Sequence, residues 1–123
     1  MTFQMIMSVI AIHWIADFVL QSDWQAKNKS KNNWALIGHV ASYGLCLTFF
    51  AFCFLLYKDE GFPWTEWAML NTALHFVTDY FTSRINSSLW SKGRVHDFFV
   101  CVGFDQLIHY TCLFGTLFYY GAM

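Results

Sequence analysis

The sequence predicts an all-α polytopic membrane protein, a single domain folded as an antiparallel bundle of four transmembrane helices. Three observations carry that expectation. Hydrophobic residues make up 57% of the 123 and charged residues only 12%, against about 25% charged in an ordinary soluble domain. A water-soluble fold of this size would lack the residues for a polar skin. The apolar residues gather into four segments, each close to the roughly 20 residues a helix needs to cross the hydrocarbon core. The basic residues cluster between alternate pairs of those segments. Helices satisfy their own backbone in lipid, and a closed barrel is excluded by the absence of dyad alternation and by the short chain.

The first helix is expected at 3–21, the second at 34–57, the third at 65–84 and the fourth at 97–120. Short connections set consecutive helices side by side and antiparallel. The connection 22–33 holds Lys27, Lys29 and Lys31, and 85–96 holds Lys92 and Arg94. The connection 58–64 holds Lys58, Asp59 and Glu60, with Gly61 and Pro63 as turn residues. Counting Arg84, six of the seven Lys and Arg residues flank the first and third connections. Those connections are therefore expected to face the cytoplasm, with both termini outside. Trp24, Trp34 and Trp90 near the cytoplasmic boundary, and Trp64 and Trp67 near the outer one, fit interfacial aromatic belts. No basic residue precedes the first apolar run, and that run contains His13 and Asp17, so it is expected to be a retained span rather than a cleaved signal.

The net charge of −1 leaves no basic excess to neutralise phosphates, so nucleic acid is excluded as a general partner. Cys46, Cys53, Cys101 and Cys112 all lie in apolar segments without a CxxC pair. They read as small hydrophobes, not as a disulfide framework.

The functional signal lies in polar residues inside the spans. A charge at the bilayer centre costs at least about 2.5 kcal/mol on insertion scales, so such residues must find partners. His13 and Asp17 stand four apart in the first helix, and Gln21 four later; residues at that spacing share a helix face. Asn71, His75 and Asp79 repeat the spacing in the third helix, beside Thr78 and Thr82. Asp105 and His109 repeat it in the fourth, extended by Cys101 and Cys112, and the second helix offers His39 and Tyr43. Counted from the cytoplasmic helix ends at 1.5 Å per residue, these groups sit roughly 6–18 Å deep, so a four-helix bundle could bring them to one level. His96 and Asp97 read as a helix start, where an acid suits the helix dipole.

Imidazole and carboxylate together suit a divalent metal, zinc first, with manganese and iron as alternatives. The candidate ligands are His13, Asp17, His39, His75, Asp79, Asp105 and His109. Two His and one or two Asp with an open position describe a catalytic rather than a structural site. Seven ligands could hold two metals, an arrangement suited to phosphoester hydrolysis. The leading expectation is thus a metal-dependent hydrolase acting on a lipid phosphoester or another phosphorylated membrane substrate. Arg84, Lys92 and Arg94 are candidates to attract its phosphate, although their role as topology signals is the stronger reading. Two other readings stand beside it. The His and Asp residues could form a proton or ion path, or a metal-free network fixing helix register in an interaction protein of a membrane complex. A homo-oligomer is compatible with all three.

The run His13-Trp14-Ile15-Ala16-Asp17-Phe18-Val19-Leu20-Gln21, followed by Trp24 and Lys27, resembles the HxxADFxxQ signature of a family of small bacterial and phage-encoded integral membrane proteins of unknown function. The resemblance continues through His39 and Tyr43, through His75 to Arg84, through Leu89 and Trp90, and through Gly103 to His109. It implies membrane residence, and a phage context in which the protein could alter the host membrane. A looser similarity, in ligand type only, is to membrane-bound metal-dependent hydrolases.

Overall fold

A computed structural model describes residues 2–57 and 61–121 of the chain. Lys58, Asp59 and Glu60, expected in the second connection, lie outside the described residues. Among the described residues all regular structure is helical. Helix α1 (Phe3–Trp14) runs into a π-helical turn (Ile15–Val19), followed by a short α2 (Asp23–Asn28), α3 (Asn33–Tyr57), α4 (Trp64–Ser91) and α5 (Val95–Gly121). Two stretches, Asn33–Leu56 and Val95–Gly121, are long and apolar enough to cross a membrane, and Phe3–Val19 is apolar but shorter. Helix α4 has the length, but the polar stripe from Asn71 to Ser83 interrupts its apolar character.

The helix ends differ from expectation for identifiable reasons. Thr2 caps α1 by accepting from the Met5 amide at 3.3 Å. The first helix does not continue to Gln21: the Leu20 amide reaches back five residues to the Ile15 carbonyl at 2.9 Å, widening the last turn. The chain then restarts in α2, inside the stretch 22–33 expected as a connection. Ser22 and Gln25 form a reciprocal capping box, with the two bonds at 3.2 and 2.9 Å. Helix α4 passes Arg84 and stops only at Gly93, whose φ of 68° suits glycine. There the Gly93 amide bonds the Trp90 carbonyl and the Arg94 amide bonds the Leu89 carbonyl, both at 3.0 Å, the two bonds of a Schellman stop. The polar run Asn86, Ser87, Ser88 is therefore helix surface rather than connection.

Cross-helix pairs show that neighbours run antiparallel. Tyr43 and Phe50 of α3 meet His75 and Trp67 of α4. Trp67 and Thr82 of α4 meet Leu113 and Asp105 of α5. His13 of α1 meets both Tyr43 of α3 and Gln106 of α5, which closes the ring.

The interior has two layers. Around the N-termini of α1 and α4 it is apolar and aromatic, built by Val9, Leu47, Ala51, Trp64, Trp67, Leu113 and Leu117. Trp64 and Trp67 are buried in this layer rather than standing in an outer belt as expected. Trp67 is wholly buried and gives its indole N–H to the Leu113 carbonyl at 3.2 Å, which explains how so large a polar-tipped side chain is held inside. Trp24, Trp34 and Trp90 are exposed at the opposite end. The second layer, nearer α2, is polar.

Candidate metal centre

The polar layer is assembled from five helical segments. His13 comes from α1, Asp17 from the π turn, His39 from α3, His75 and Asp79 from α4, and Asp105 and His109 from α5. All seven are buried, so the sequence-derived candidates do meet in one region. The π turn re-aims Asp17, since one extra residue in a turn changes the direction of the side chains that follow. Its carbonyl, at the end of the helix, accepts from the Gln21 side chain at 2.8 Å.

Six of the seven fall into two candidate ligand groups that share Asp17. Asp17, His39, His75 and Asp79 form the first, and Asp17, Asp105 and His109 the second. In each, one donor atom per residue lies within 4.8 Å of every other. In the first group His39 Nε2 stands 3.1 Å from Asp17 Oδ1, 3.3 Å from Asp79 Oδ2 and 3.1 Å from His75 Nε2. His75 Nε2 stands 3.6 and 3.8 Å from the same two oxygens. Donors about 2.0–2.1 Å from a tetrahedral ion lie roughly 3.4 Å apart, so these separations fit such an ion. In the second group His109 Nε2 is 3.4 Å from Asp105 Oδ1 and also 3.2 Å from Asp79 Oδ1, linking the two groups. The first group offers four protein ligands and the second three.

Proton counting points the same way. His39 Nε2 faces two carboxylate oxygens and an imidazole nitrogen, and a single N–H cannot serve three acceptors well. Its Nδ1 is buried without a partner. Either a cation held between Nε2 and the oxygens, or a proton on Nε2 shared between them, meets this crowding.

His13 stands apart from both ligand groups. Its Nδ1 lies 3.1 Å from the Tyr43 hydroxyl and its Nε2 2.9 Å from Gln106 Oε1. The Gln106 amide nitrogen donates to Asp17 Oδ2 at 3.0 Å and to Asp105 Oδ2 at 3.1 Å. Gln106 Oε1 must then accept, so His13 donates from Nε2 and Tyr43 donates to Nδ1. His13 thus holds Gln106, which holds the two carboxylates. Outer contacts of this kind orient metal ligands. The Tyr43 ring stacks on His75 with centroids 3.8 Å apart and planes 3° off parallel.

A family model described as "Protein of unknown function (DUF3307)" matches residues 5–121. The chain belongs to that family. Comparison with curated proteins and with solved structures gave no match.

In this DUF3307 chain the structure adds residues that spacing did not single out. Lys29, at the C-terminal cap of α2, places Nζ 2.7 Å from Asp79 Oδ2, so a residue counted as a topology signal turns inward. Thr82, already placed beside the third-helix stripe by its spacing, donates to Asp105 Oδ1 at 2.6 Å. Asn71 shares the His75 stripe but lies in the apolar layer, donating to the Trp67 carbonyl and to Thr116, both at 2.8 Å. Arg84 and Arg94, candidates to attract a phosphate, are engaged elsewhere. Arg84 lies over the Tyr80 ring and bonds Asn33, and Arg94 pairs with Asp97. A cavity of about 730 Å³ leads from the α2 side to Asp17, Asp105 and Gln106, and the lysines on it are Lys27 and Lys29. The four cysteines are free thiols.

Proposed function

We propose that the chain is a four-span protein of the bacterial inner membrane, with both termini outside, that hydrolyses a phosphoester on a membrane substrate at a divalent metal site. The observation that carries the site is the donor spacing of the first group, 3.1–3.8 Å between nitrogens and oxygens contributed by the π turn, α3 and α4. Membrane residence is supported by the direction in which the apolar helices face. Only 28% of the apolar stretch in α3 and 17% of that in α5 is buried inside the fold. A core helix of a soluble protein would be mostly covered; here Leu45, Phe49, Phe104, Leu107 and Phe118 point outward and need lipid or a partner.

In this reading the four-ligand group is closed, and the three-ligand group has its open side toward the cavity that Asp17 and Asp105 line. Zinc is the first choice for these ligands, and manganese or iron would also fit. A metal there would polarise the phosphoryl oxygen and lower the pKa of water. Asp17 ties the two groups together. Asp105 is held as a ligand by Thr82 and Gln106, and a spare carboxylate or imidazole of the cluster would take the proton from an attacking water. Elemental analysis of the detergent-purified chain tests this. Stoichiometric metal is expected in the wild type and lost in Asp79→Ala, and hydrolysis of a phosphoester probe should cease with chelator. A metal-free wild type indifferent to chelator would remove the reading.

A second reading rests on the continuity of the side-chain contacts. Lys29, Asp79, His109, His75, His39 and Asp17 follow one another within hydrogen-bonding distance, as a proton relay would. It predicts pH-driven flux in liposomes that His75→Ala or Asp105→Ala abolishes. The apolar layer around Trp67 and Leu113 interrupts that route within one chain.

A further inference from the structure

The carboxylates of the cluster are disposed for two ions. Asp79 turns Oδ2 toward His39 Nε2 at 3.3 Å and Oδ1 toward His109 Nε2 at 3.2 Å, and Asp17 belongs to both ligand groups. The imidazoles set a different limit. His75 Nδ1 and His109 Nδ1 face each other at 3.2 Å, and both residues are buried. A neutral imidazole has one N–H, so a ring that gives the electron pair of Nε2 to a metal carries its proton on Nδ1. With one ion on His75 and another on His109, both Nδ1 atoms would be protonated and their N–H groups would collide. Only one proton fits in that contact. Stripping the other would leave an imidazolate anion among Asp17, Asp79 and Asp105.

The contact has no easy escape. The Tyr43 ring stacks on His75 with planes 3° off parallel, and the His109 ring lies 4.3 Å from His75, centroid to centroid. Turning either ring over takes Nδ1 out of the contact, but the same half-turn puts a carbon where Nε2 stood and withdraws the ligand. We propose that the two groups are alternative seats for a single ion, and that the His75–His109 contact makes filling one close the other. With the ion in the four-ligand seat, His75 donates from Nδ1 to His109 Nδ1. His109 then holds its own proton on Nε2, toward Asp79 Oδ1 and Asp105 Oδ1 at 3.2 and 3.4 Å, and is no ligand. With the ion in the three-ligand seat, the proton in the contact belongs to His109, and His75 is the one excluded. Both rings stay neutral in either state; only the nitrogen that carries the proton changes. The seat with four ligands takes the ion first, and there His109 is a positioning residue for His75. This rests on the metal reading above and adds a regulation to it: an ion in the closed seat leaves the cavity side without metal until it moves.

The test is equilibrium dialysis of the purified full chain against zinc in neutral detergent, with nitrogen NMR of isotope-labelled histidine. One zinc per chain is expected, with a second ion bound at least about a hundredfold more weakly. In the loaded protein, His39 and His75 should be protonated on Nδ1 and His109 on Nε2. His109→Asn keeps an acceptor oxygen close to where Nδ1 stood and should hold the zinc affinity within about threefold of the wild type. His109→Ala should weaken it about ten- to hundredfold, as loss of an outer contact to a metal ligand does, and both variants should still bind one ion. Two ions of comparable affinity in the wild type overturn the exclusion and leave the metal reading standing. No zinc at all overturns both. A loaded His109 protonated on Nδ1, or His109→Asn as weak as His109→Ala, overturns the positioning role. If the variants fail to fold, the stoichiometry and proton positions of the wild type decide.

Discussion

Among the described residues, Lys29 is the lysine that enters the cluster, and Lys29→Met isolates it. Its Nζ sits 2.7 Å from Asp79 Oδ2, with the lysine side chain 18% exposed and the aspartate 2%. At that separation, with an effective dielectric constant near 20, the gross attraction is roughly 6 kcal/mol. Desolvating the ammonium and ordering a long side chain offset much of it, leaving about 2–3 kcal/mol, in the range of a hydrogen bond between charged groups. Asp79 keeps His39 and His109 beside it, which limits the damage. In metal-free detergent solution the apparent melting midpoint of Lys29→Met is expected to fall by roughly 5–10 °C. Adding zinc should restore it, because a dication replaces the lost charge, and zinc should bind the variant more tightly than the wild type. Thermal unfolding with and without zinc, beside a zinc titration, reads all three effects. An unchanged metal-free midpoint would refute the charge argument, and a midpoint that falls but does not recover with zinc would refute the cation-site argument.

Tyr43→Phe keeps the stack on His75 but leaves His13 Nδ1 buried and unpaired; it should destabilise by about 1–3 kcal/mol, measured by thermal unfolding, with the metal content of the folded fraction unchanged. Gly44→Val should be worse, because even a Cβ at Gly44 would stand 2.7 Å from Thr72 Cγ2; α3 and α4 must part, and a lower folded yield on size-exclusion chromatography is the expected readout. Gly93→Ala forces a Cβ into the left-handed region at φ 68°, at a cost of about 1–2 kcal/mol. That loss should appear as a lower midpoint with metal content intact, since Gly93 lies beyond the helix that carries His75 and Asp79.

Much of the site was legible because one rule served three helices. The spacing His13/Asp17, His75/Asp79 and Asp105/His109 places each pair on one face, and buried ionisable groups must find one another. What spacing missed came from elsewhere. Gln106 directly follows Asp105, so the face rule points it away, yet its long side chain spans two carboxylates and His13. Lys29 belongs to a cluster of three lysines in which sequence does not say which one turns inward. His13 obeys the periodicity and stays 3.8 Å from Asp17 Oδ2, but its own hydrogen bonds go to Gln106 and Tyr43. For the fold, Gly93 was the true stop signal of α4, while Arg84 and the polar run after it imitated one. The tryptophans divide in the same way: Trp24, Trp34 and Trp90 stay outside, whereas Trp64 and Trp67 turn into the core because they flank a helix start packed against α3 and α5.

The aromatic layer around Trp67 fixes the traffic of the cluster. With that end filled by side chains and the mouth on the α2 side, anything that reaches Asp105 must back out the way it came. Under the hydrolase proposal, the two products would leave in sequence through that shared doorway, and the bulkier one would set the pace of turnover. In the proposed membrane orientation, a membrane-impermeant chelator or carboxylate reagent would reach the acids from one face of a sealed vesicle and be excluded from the other.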